Sequence, residues 1–227
     1  MKPWVLIEVA EIPGADRELR LYQKDVEHSI VIGAGGGELM NSRTHGSEDA
    51  LAELTCARIA DRQAPCVLIG GLGMGFTLAA ALRSLGPDAE VVVAELIPAV
   101  VEWNRGPIGV HAGHPLQDPR VTVYEGDVAK AIKSKGSAYD AILLDVDNGP
   151  EGLTHKDNDW LYGRSGLRAA FKALRPEGIL AVWSAGPEPD FTERLRTEGF
   201  EVEEQRVRAH RTRKGAMHII WLAGRGI

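Results

Sequence analysis

The sequence predicts an α/β fold built on a doubly wound, mostly parallel seven-stranded sheet, with a small N-terminal β-hairpin extension. From Cys66 onward, short apolar runs alternate with helical patterns, which is typical of a parallel sheet flanked by helices. A glycine-rich turn joins the first of these runs to the first of these helices, as in α/β nucleotide-binding units. The last two apolar runs follow each other without a helix, so we expect them to pair antiparallel.

Residues 1–45 are expected to form the β extension, as a small β-meander or hairpin, because their alternating apolar residues are broken by Pro13-Gly14 and by Gly35-Gly36-Gly37. A helix should begin near Ser47, whose hydroxyl can cap it. Residues 46–227 then form the Rossmann-like domain. Its strands are predicted near 66–69, 90–94, 121–124, 139–145, 178–184, 200–207 and 216–223, and its helices near 75–85, 97–104, 127–134, 165–174 and 190–198.

Composition narrows the class of protein. The 227 residues, 44% of them hydrophobic, are enough for one domain with a small extension, and the net charge of −6 argues against a general nucleic-acid-binding surface. The two cysteines form no CxxC motif, so we expect a reduced, cytoplasmic protein with no disulfide framework and no metal site. Glu8 and Glu11 interrupt the apolar N-terminus, which therefore reads as a strand rather than a signal peptide. No apolar run approaches membrane-spanning length.

The turn after the first strand of the alternating region carries glycines at 71, 73 and 75. Glycine lets the backbone take positive φ and approach a ligand closely. The dinucleotide fingerprint requires a further glycine where Phe76 stands, so a pyrophosphate-binding turn is disfavoured. The shorter repeat suits a nucleoside without phosphates, such as S-adenosylmethionine, although it would also serve as a plain strand–helix turn.

Acidic residues end the next three predicted strands. Glu95 lies 24 residues after Gly71, Asp127 follows the third strand, and Asp145 the fourth. Carboxyl ends of parallel strands meet at one edge of the sheet, where ligands bind. Glu95 stands where a ribose-binding acid belongs in this architecture, and Asp127 is placed to bind the adenine amino group. The alternative for Asp127 is a helix cap, and that for Asp145 is to brace the following loop.

Four stretches in order, VLIGGLGMG, AELIPAVVEWN, VYEGDVAKAIK and YDAILLDVDNGPEG, resemble the motifs of class I S-adenosylmethionine-dependent transferases, and most closely those of the spermidine synthase family. The resemblance covers roughly residues 38–184. It implies that Gly71, Gly73 and Gly75 line the cofactor site and that Glu95 and Asp127 bind its ribose and adenine. It also implies that Asp145 contacts the cofactor and, with Asp147, holds and deprotonates the attacking amine.

The acceptor half of the motif set departs from the family. Ser42 is the nearest equivalent of a glutamine that contacts the cofactor tail, and Leu51 replaces a polyamine-binding tyrosine, while the acid one turn earlier matches as Glu48. The resemblance therefore implies an intact nucleoside site and an altered polyamine site.

The function expected from these features is S-adenosylmethionine-dependent transfer, with methyl transfer to a small, amine-like acceptor favoured. Polyamine aminopropyl transfer from decarboxylated S-adenosylmethionine is the alternative, and a non-catalytic nucleoside-binding protein is a third hypothesis. An NAD-dependent enzyme is disfavoured by the missing glycine. The expected partners are the small-molecule acceptor and a second copy of the chain in a homodimer, with no nucleic acid and no membrane.

Several other residues have open roles. The spacing of His111 and His114 does not predict a metal site, because no cysteine or acid lies nearby. His45 either contacts a ligand or caps a helix, and Trp160 and Tyr162 either wall an acceptor pocket or pack. Trp183 either faces the pocket or belongs to the core. The basic cluster Arg206, Arg208, Arg211, Arg213 and Lys214 is interpreted as a solvated hairpin tip.

Overall fold

The computed structural model describes residues 2–33, 37–146, 158–210 and 215–226. Its N-terminal part is an antiparallel meander of four strands in the order β1-β2-β3-β4. These strands are β1 (Val5–Glu11), β2 (Glu18–Lys24), β3 (Glu27–Ile32) and β4 (Glu38–Asn41). Of the two forms expected for the extension, the structure has the meander.

The main sheet has seven strands in the order β10-β11-β9-β8-β5-β6-β7. The five strands from β9 to β7 run parallel, whereas β11 pairs antiparallel with both β9 and β10. The strands are β5 (Cys66–Gly70), β6 (Glu90–Glu95), β7 (Val121–Glu125), β8 (Tyr139–Leu144), β9 (Leu174–Ser184), β10 (Phe200–Arg208) and β11 (Met217–Arg225). The predicted fold class is confirmed.

Helices cover both faces of this sheet. One face carries α1 (Gly46–Ala57), α2 (Phe76–Ser84) and α3 (Pro98–Arg105), and the other carries α4 (Val128–Lys133), α5 (Asn158–Tyr162), α6 (Arg164–Ala173) and α7 (Pro189–Thr197). Two short 3-10 turns, Gly109–Ala112 and Pro115–Gln117, follow α3. All six residues of β8 are buried, because a central parallel strand is covered on both faces.

The strand order reverses at β5, which pairs with β6 on one side and with β8 on the other. Connections from β5 and β8 thus leave in opposite directions and open a crevice at their carboxyl ends, where such folds bind ligands. Asp140, at the opposite end of β8, accepts hydrogen bonds from the Cys66 amide at 2.8 Å and from Arg175 Nη1 at 2.6 Å. It is therefore a paired structural acid, distinct from Asp145 at the crevice.

Candidate active site

The turn after β5 requires glycine at position 71. Gly71 has φ +87°, and a Cβ there would lie 2.2 Å from the Asp145 carbonyl oxygen. Its amide donates to the Ala94 carbonyl, and the Asp145 amide donates to the Gly70 carbonyl, both at 2.9 Å. The turn is thus held between the ends of β6 and β8, which fixes its backbone at the mouth of the crevice.

The other two glycines of the turn differ in their surroundings. Gly73, with φ +53°, lines the crevice, and a Cβ there would lie 3.0 Å from Met40 Sδ. Gly75, with φ +81°, is the N-cap residue of α2 and faces Asn104 Oδ1 and Pro115. Gly75 is not among the described residues that line the crevice, so its contact with a cofactor stays a prediction, and its observed contacts are packing contacts.

The crevice is a cavity of about 180 Å³ between the glycine turn and the N-terminal sheet. Polar and acidic groups from the strand ends form its floor, and apolar residues of the N-terminal meander cover it. The covering residues are Ile12, Leu19, Ile30, Leu39 and Met40.

Glu95 is buried at the end of β6, with 8% of its surface exposed. Its Oε2 accepts from the Leu72 amide and its Oε1 from the Ile97 amide, both at 2.9 Å. Burial raises the pKa of this carboxyl, and these backbone hydrogen bonds oppose the rise. Glu95 thus braces the glycine turn, and its carboxyl also lines the cavity.

Asp127 lines the cavity and also caps α4. Its Oδ1 accepts from the Ala129 amide at 2.8 Å, which is the helix-cap role considered for this residue. The cap uses one carboxylate oxygen and leaves acceptor capacity on the other. Capping and ligand binding are therefore compatible at Asp127.

Asp145 follows β8 and lines the cavity beside the first turn of α2. Its Oδ2 accepts from Thr77 Oγ1 at 2.5 Å. Burial raises the pKa of Asp145 to about 6, and the hydrogen bond from Thr77 opposes that rise. A carboxylate with a pKa this close to neutrality is suited to accept a proton.

Glu48, on α1, is a second acid beside Asp145. It lines the same cavity, and its pKa is raised to about 7, first by burial and next by the negative charge of Asp145. Two half-buried carboxylates that repel each other favour a shared proton or a bound cation. The pair can therefore attract an ammonium group and take a proton from it.

Every charged side chain that lines the cavity in the described part of the chain is a carboxylate, namely Glu48, Glu95, Asp127 and Asp145. Such a lining favours cationic ligands, because no lysine or arginine among these lining residues offsets it. A protonated amine and a sulfonium nucleoside are both cations.

The remaining residues named from the family resemblance lie elsewhere. Asp147 lies outside the described residues, so its role stays a prediction. Ser42 accepts a hydrogen bond from the His28 amide at 3.0 Å and is not a described lining residue of the cavity. Leu51 is fully buried in the core, and its apolar side chain cannot form the hydrogen bond that a tyrosine hydroxyl would form.

The N-terminus of α1 differs from the prediction. The N-cap residue is His45, whose side chain makes no capping hydrogen bond. The Ser47 hydroxyl donates instead to Glu48 Oε2 at 2.6 Å. The His45 ring stacks on Phe76 at 4.3 Å between centroids, and its Nδ1 lies 2.9 Å from Asp49 Oδ2.

Of the aromatic and histidine residues whose roles were open, only some lie at the cavity. Trp183 lines the cavity while 9% exposed, so it belongs to both pocket and core. Tyr162 is buried, and Trp160 receives Lys133 Nζ at 3.6 Å over its ring. Neither lines the cavity within the described residues. His111 Nε2 lies 2.8 Å from His28 Nδ1.

The described residues show neither a metal-binding cluster nor a membrane-spanning helix. No cluster of three or more histidine, cysteine or acidic side chains there is arranged to hold a metal ion. In the same ranges, no helix combines the length and the apolar character needed to cross a membrane. Of the basic cluster, 211–214 lies outside the described residues.

Thr77, Ser47 and His218 belong to the neighbourhood of the acidic pair and were missed in the sequence. Thr77 carried a usable signal, because it follows the glycine turn by two residues on the first turn of α2. His218 carried little, since it is one polar residue at the start of an apolar strand.

Comparison with known proteins places these features in context. Putrescine N-methyltransferase 4 of Nicotiana tabacum is 39% identical over 118 residues, which are 51% of this chain and 28% of that protein. The polyamine aminopropyltransferase of Korarchaeum cryptofilum is 32% identical over 120 residues, 53% of this chain and 35% of that protein. The matches thus span about a third of these relatives. No family model matches the chain.

Two solved structures share the fold of this protein over nearly its whole length. A spermidine synthase in complex with the transition state analogue AdoDATO matches with a TM-score of 0.78 at 18% identity, covering 98% of this chain and 74% of that one. The spermidine synthase of Thermotoga maritima matches with a TM-score of 0.73 at 16% identity, covering 98% and 73%. The chain therefore has the fold of the spermidine synthases, and its resemblance to this family of class I S-adenosylmethionine-dependent transferases is confirmed.

Proposed function

We propose that this protein transfers an alkyl group from an S-adenosylmethionine-type sulfonium nucleoside to an amine. The observation that carries the proposal is the acidic pair Glu48 and Asp145, which lines the same cavity as Gly71, Glu95 and Asp127. The cavity thus combines groups suited to a nucleoside with groups suited to an amine. The names of the relatives, which are methyl- and aminopropyltransferases acting on amines, point the same way.

The nucleoside half of the site is assigned to the strand ends β5, β6 and β7. Glu95 would accept hydrogen bonds from the ribose hydroxyls, and Asp127 from the adenine amino group. Gly71 and Gly73 would allow the nucleoside to approach the backbone. The cofactor, when bound, supplies the electrophilic carbon next to its sulfonium sulfur.

The amine half is assigned to Asp145, Glu48 and Thr77. An amine attacks only when neutral, so a base must accept its proton. Asp145 is held in place by Thr77 and would orient the amine and accept that proton, a contribution typically worth about 10²- to 10⁴-fold in rate. Holding amine and sulfonium carbon in line would supply a further roughly 7–11 kcal/mol.

Methyl transfer is the leading form of the reaction, because the residues that the resemblance ties to polyamine binding are replaced at Ser42 and Leu51. Aminopropyl transfer is the second candidate, and the charge of the cavity favours it. The charged groups of the described lining are all carboxylates, which suits the cationic tail of the decarboxylated cofactor better than a tail with a carboxylate.

A transfer assay tests the proposal. The protein is incubated with S-adenosylmethionine or its decarboxylated form and a panel of mono- and diamines, and products are read by mass. A methylated amine with the first cofactor supports methyl transfer, and an aminopropylated amine with the second supports the alternative. Nucleoside binding without transfer to any amine would contradict the proposal and favour a non-catalytic nucleoside-binding protein.

A further inference from the structure

A chain of hydrogen bonds leads away from the acidic pair to the antiparallel end of the sheet. Ser47 Oγ donates to Glu48 Oε2 at 2.6 Å, and His218 Nδ1 lies 2.9 Å from the same Ser47 oxygen. Glu48 faces the cavity, Ser47 is fully buried, and His218 on β11 is half-buried. The chain therefore starts at the reaction site and ends at a ring that reaches the solvent-exposed surface.

Ser47 does not act as a helix cap, although it lies in the first turn of α1. Near a helix N-terminus a serine usually caps backbone amides, yet α1 has no side-chain cap. The Ser47 hydroxyl instead joins the carboxylate of its neighbour Glu48 to the imidazole of His218, which lies 171 positions after Ser47. A fully buried hydroxyl placed between an acid and a histidine is suited to pass a proton between them.

The proton positions follow from the donors available. A hydroxyl has one proton, so when Ser47 donates to ionised Glu48, His218 must donate through Nδ1–H. When Glu48 is protonated, it can donate to Ser47, and Ser47 then donates to a bare Nδ1. Outward transfer of a proton from Glu48 to His218 is the change from the second arrangement to the first.

Few charged groups of the described residues act on this chain of hydrogen bonds. Burial raises the pKa of Glu48, as do the charges of Asp145, which follows β8, and of Asp49 on α1. Burial alone lowers the pKa of His218, whose ring meets the edge of Trp183 on β9. Asp49 is paired with Arg83 and His45, both at 2.9 Å. Among the described residues, Asp145 is thus the unpaired charge that faces Glu48, and His218 stays neutral to accept a proton.

We propose that Ser47 and His218 form a relay that carries the proton released by the amine from the Glu48–Asp145 pair to solvent; this inference rests on the proposed function. The nitrogen lone pair forms the new N–C bond while the C–S bond breaks, and its electron pair stays on sulfur as a neutral thioether. The proton leaves nitrogen for the carboxylate pair. Glu48 passes it to Ser47, whose own proton moves to His218 and then to water or buffer.

Turnover of His218→Ala and Ser47→Ala tests the relay, with Ser134→Ala as the control. Ser134 is an exposed residue at the end of α4 whose hydroxyl bonds only the Ala131 carbonyl within the described residues. Both relay variants should lose roughly 10- to 100-fold in kcat, with cofactor affinity unchanged and the control at the wild-type rate. Added imidazole should restore His218→Ala but not Ser47→Ala.

Rescue separates a relay from a merely structural role, because a lost packing contact is not replaced by a diffusing base. Wild-type turnover in either relay variant, or a loss in His218→Ala that imidazole leaves unrestored, overturns the proposal. Circular dichroism and cofactor binding establish that each variant is folded.

The tautomer of His218 tests the relay without any substrate, so its failure is distinguishable from failure of the proposed function. Nitrogen-15 NMR should show the Nδ1–H tautomer at about pH 8.5 and the Nε2–H tautomer at about pH 6, because Glu48 titrates near pH 7. The change should vanish in Ser47→Ala. A single His218 tautomer across this range in the wild-type protein would overturn the proposal.

Discussion

Replacing Asp145 with asparagine isolates the proton-accepting role from the shape of the site. Asparagine has nearly the same size, and its side-chain oxygen can still accept the hydroxyl of Thr77, now 2.5 Å from Asp145 Oδ2. The substitution removes the negative charge and the ability to take a proton. If Asp145 only braced its loop, asparagine would serve as well.

The expected loss falls on the chemical step. Removal of a general base typically lowers the rate about 10²- to 10⁴-fold, which corresponds to about 2.7–5.4 kcal/mol of barrier. Cofactor affinity should change little, because a partly solvated charge contact with the sulfonium contributes roughly 0.2–1 kcal/mol. A fall of about fivefold or less in affinity is therefore expected.

Single-turnover rates and cofactor dissociation constants of the wild-type and Asp145→Asn proteins separate these effects. The wild-type rate should rise with pH through the region near pH 6 to 7, because Asp145 and Glu48 must lose a proton to act as bases and their pKa values are about 6 and about 7. Equal rates for the two proteins, with the same pH profile, would remove Asp145 from the mechanism.

Three further predictions concern binding and stability. Glu95→Ala and Asp127→Asn should each weaken nucleoside binding about 10- to 100-fold in calorimetry, because each loses charge-assisted hydrogen bonds worth roughly 1.5–3 kcal/mol. Asparagine is chosen at position 127 because it preserves the α4 cap. Unchanged affinity in both variants would refute the nucleoside site. Gly71→Ala should abolish nucleoside binding and lower the free energy of unfolding by about 2 kcal/mol or more, because its Cβ would lie 2.2 Å from a backbone oxygen at positive φ. The control Gly86→Ala should be neutral, since a Cβ there meets nothing within 4 Å. Equal effects of the two substitutions in urea unfolding would argue against the geometry of the turn. Glu48→Gln should flatten the pH dependence of the free energy of unfolding, because the pKa of Glu48 is raised from 4.5 to about 7 in the folded state. The cost of ionising Glu48 in the folded protein is absent below about pH 4.5 and grows as the pH rises to 7. An unaltered pH profile of unfolding in the variant would contradict this.

The floor of the site was predictable from sequence because it depends on local order along the chain. Glu95, Asp127 and Asp145 each follow a strand that the apolar pattern identifies, and parallel strands bring their carboxyl ends to one edge. The predicted bounds of the helices and strands agree with the structure to within one or two residues at most ends. The exception is β9, which begins at Leu174 directly after α6 rather than near 178.

The surroundings of the acidic pair were not predictable, because they depend on how distant elements meet. Ser47 and His218 are 171 residues apart and come together only because β11 inserts antiparallel between β9 and β10. The apolar cover over the cavity comes from a separate sheet whose placement has no local signal. The interpretation of Ser47 as a cap was wrong for a local reason, because its hydroxyl donates to the carboxylate of the adjacent Glu48.

Calorimetric titration of the wild-type protein with S-adenosylmethionine, its decarboxylated form and methylthioadenosine tests the central claim most directly. The account predicts saturable binding of at least one sulfonium nucleoside, weakened about 10- to 100-fold in Glu95→Ala. Preference for the first ligand favours methyl transfer, and preference for the second favours aminopropyl transfer. Absence of binding by all three nucleosides would contradict the assignment of the cavity, and with it the function proposed for this protein.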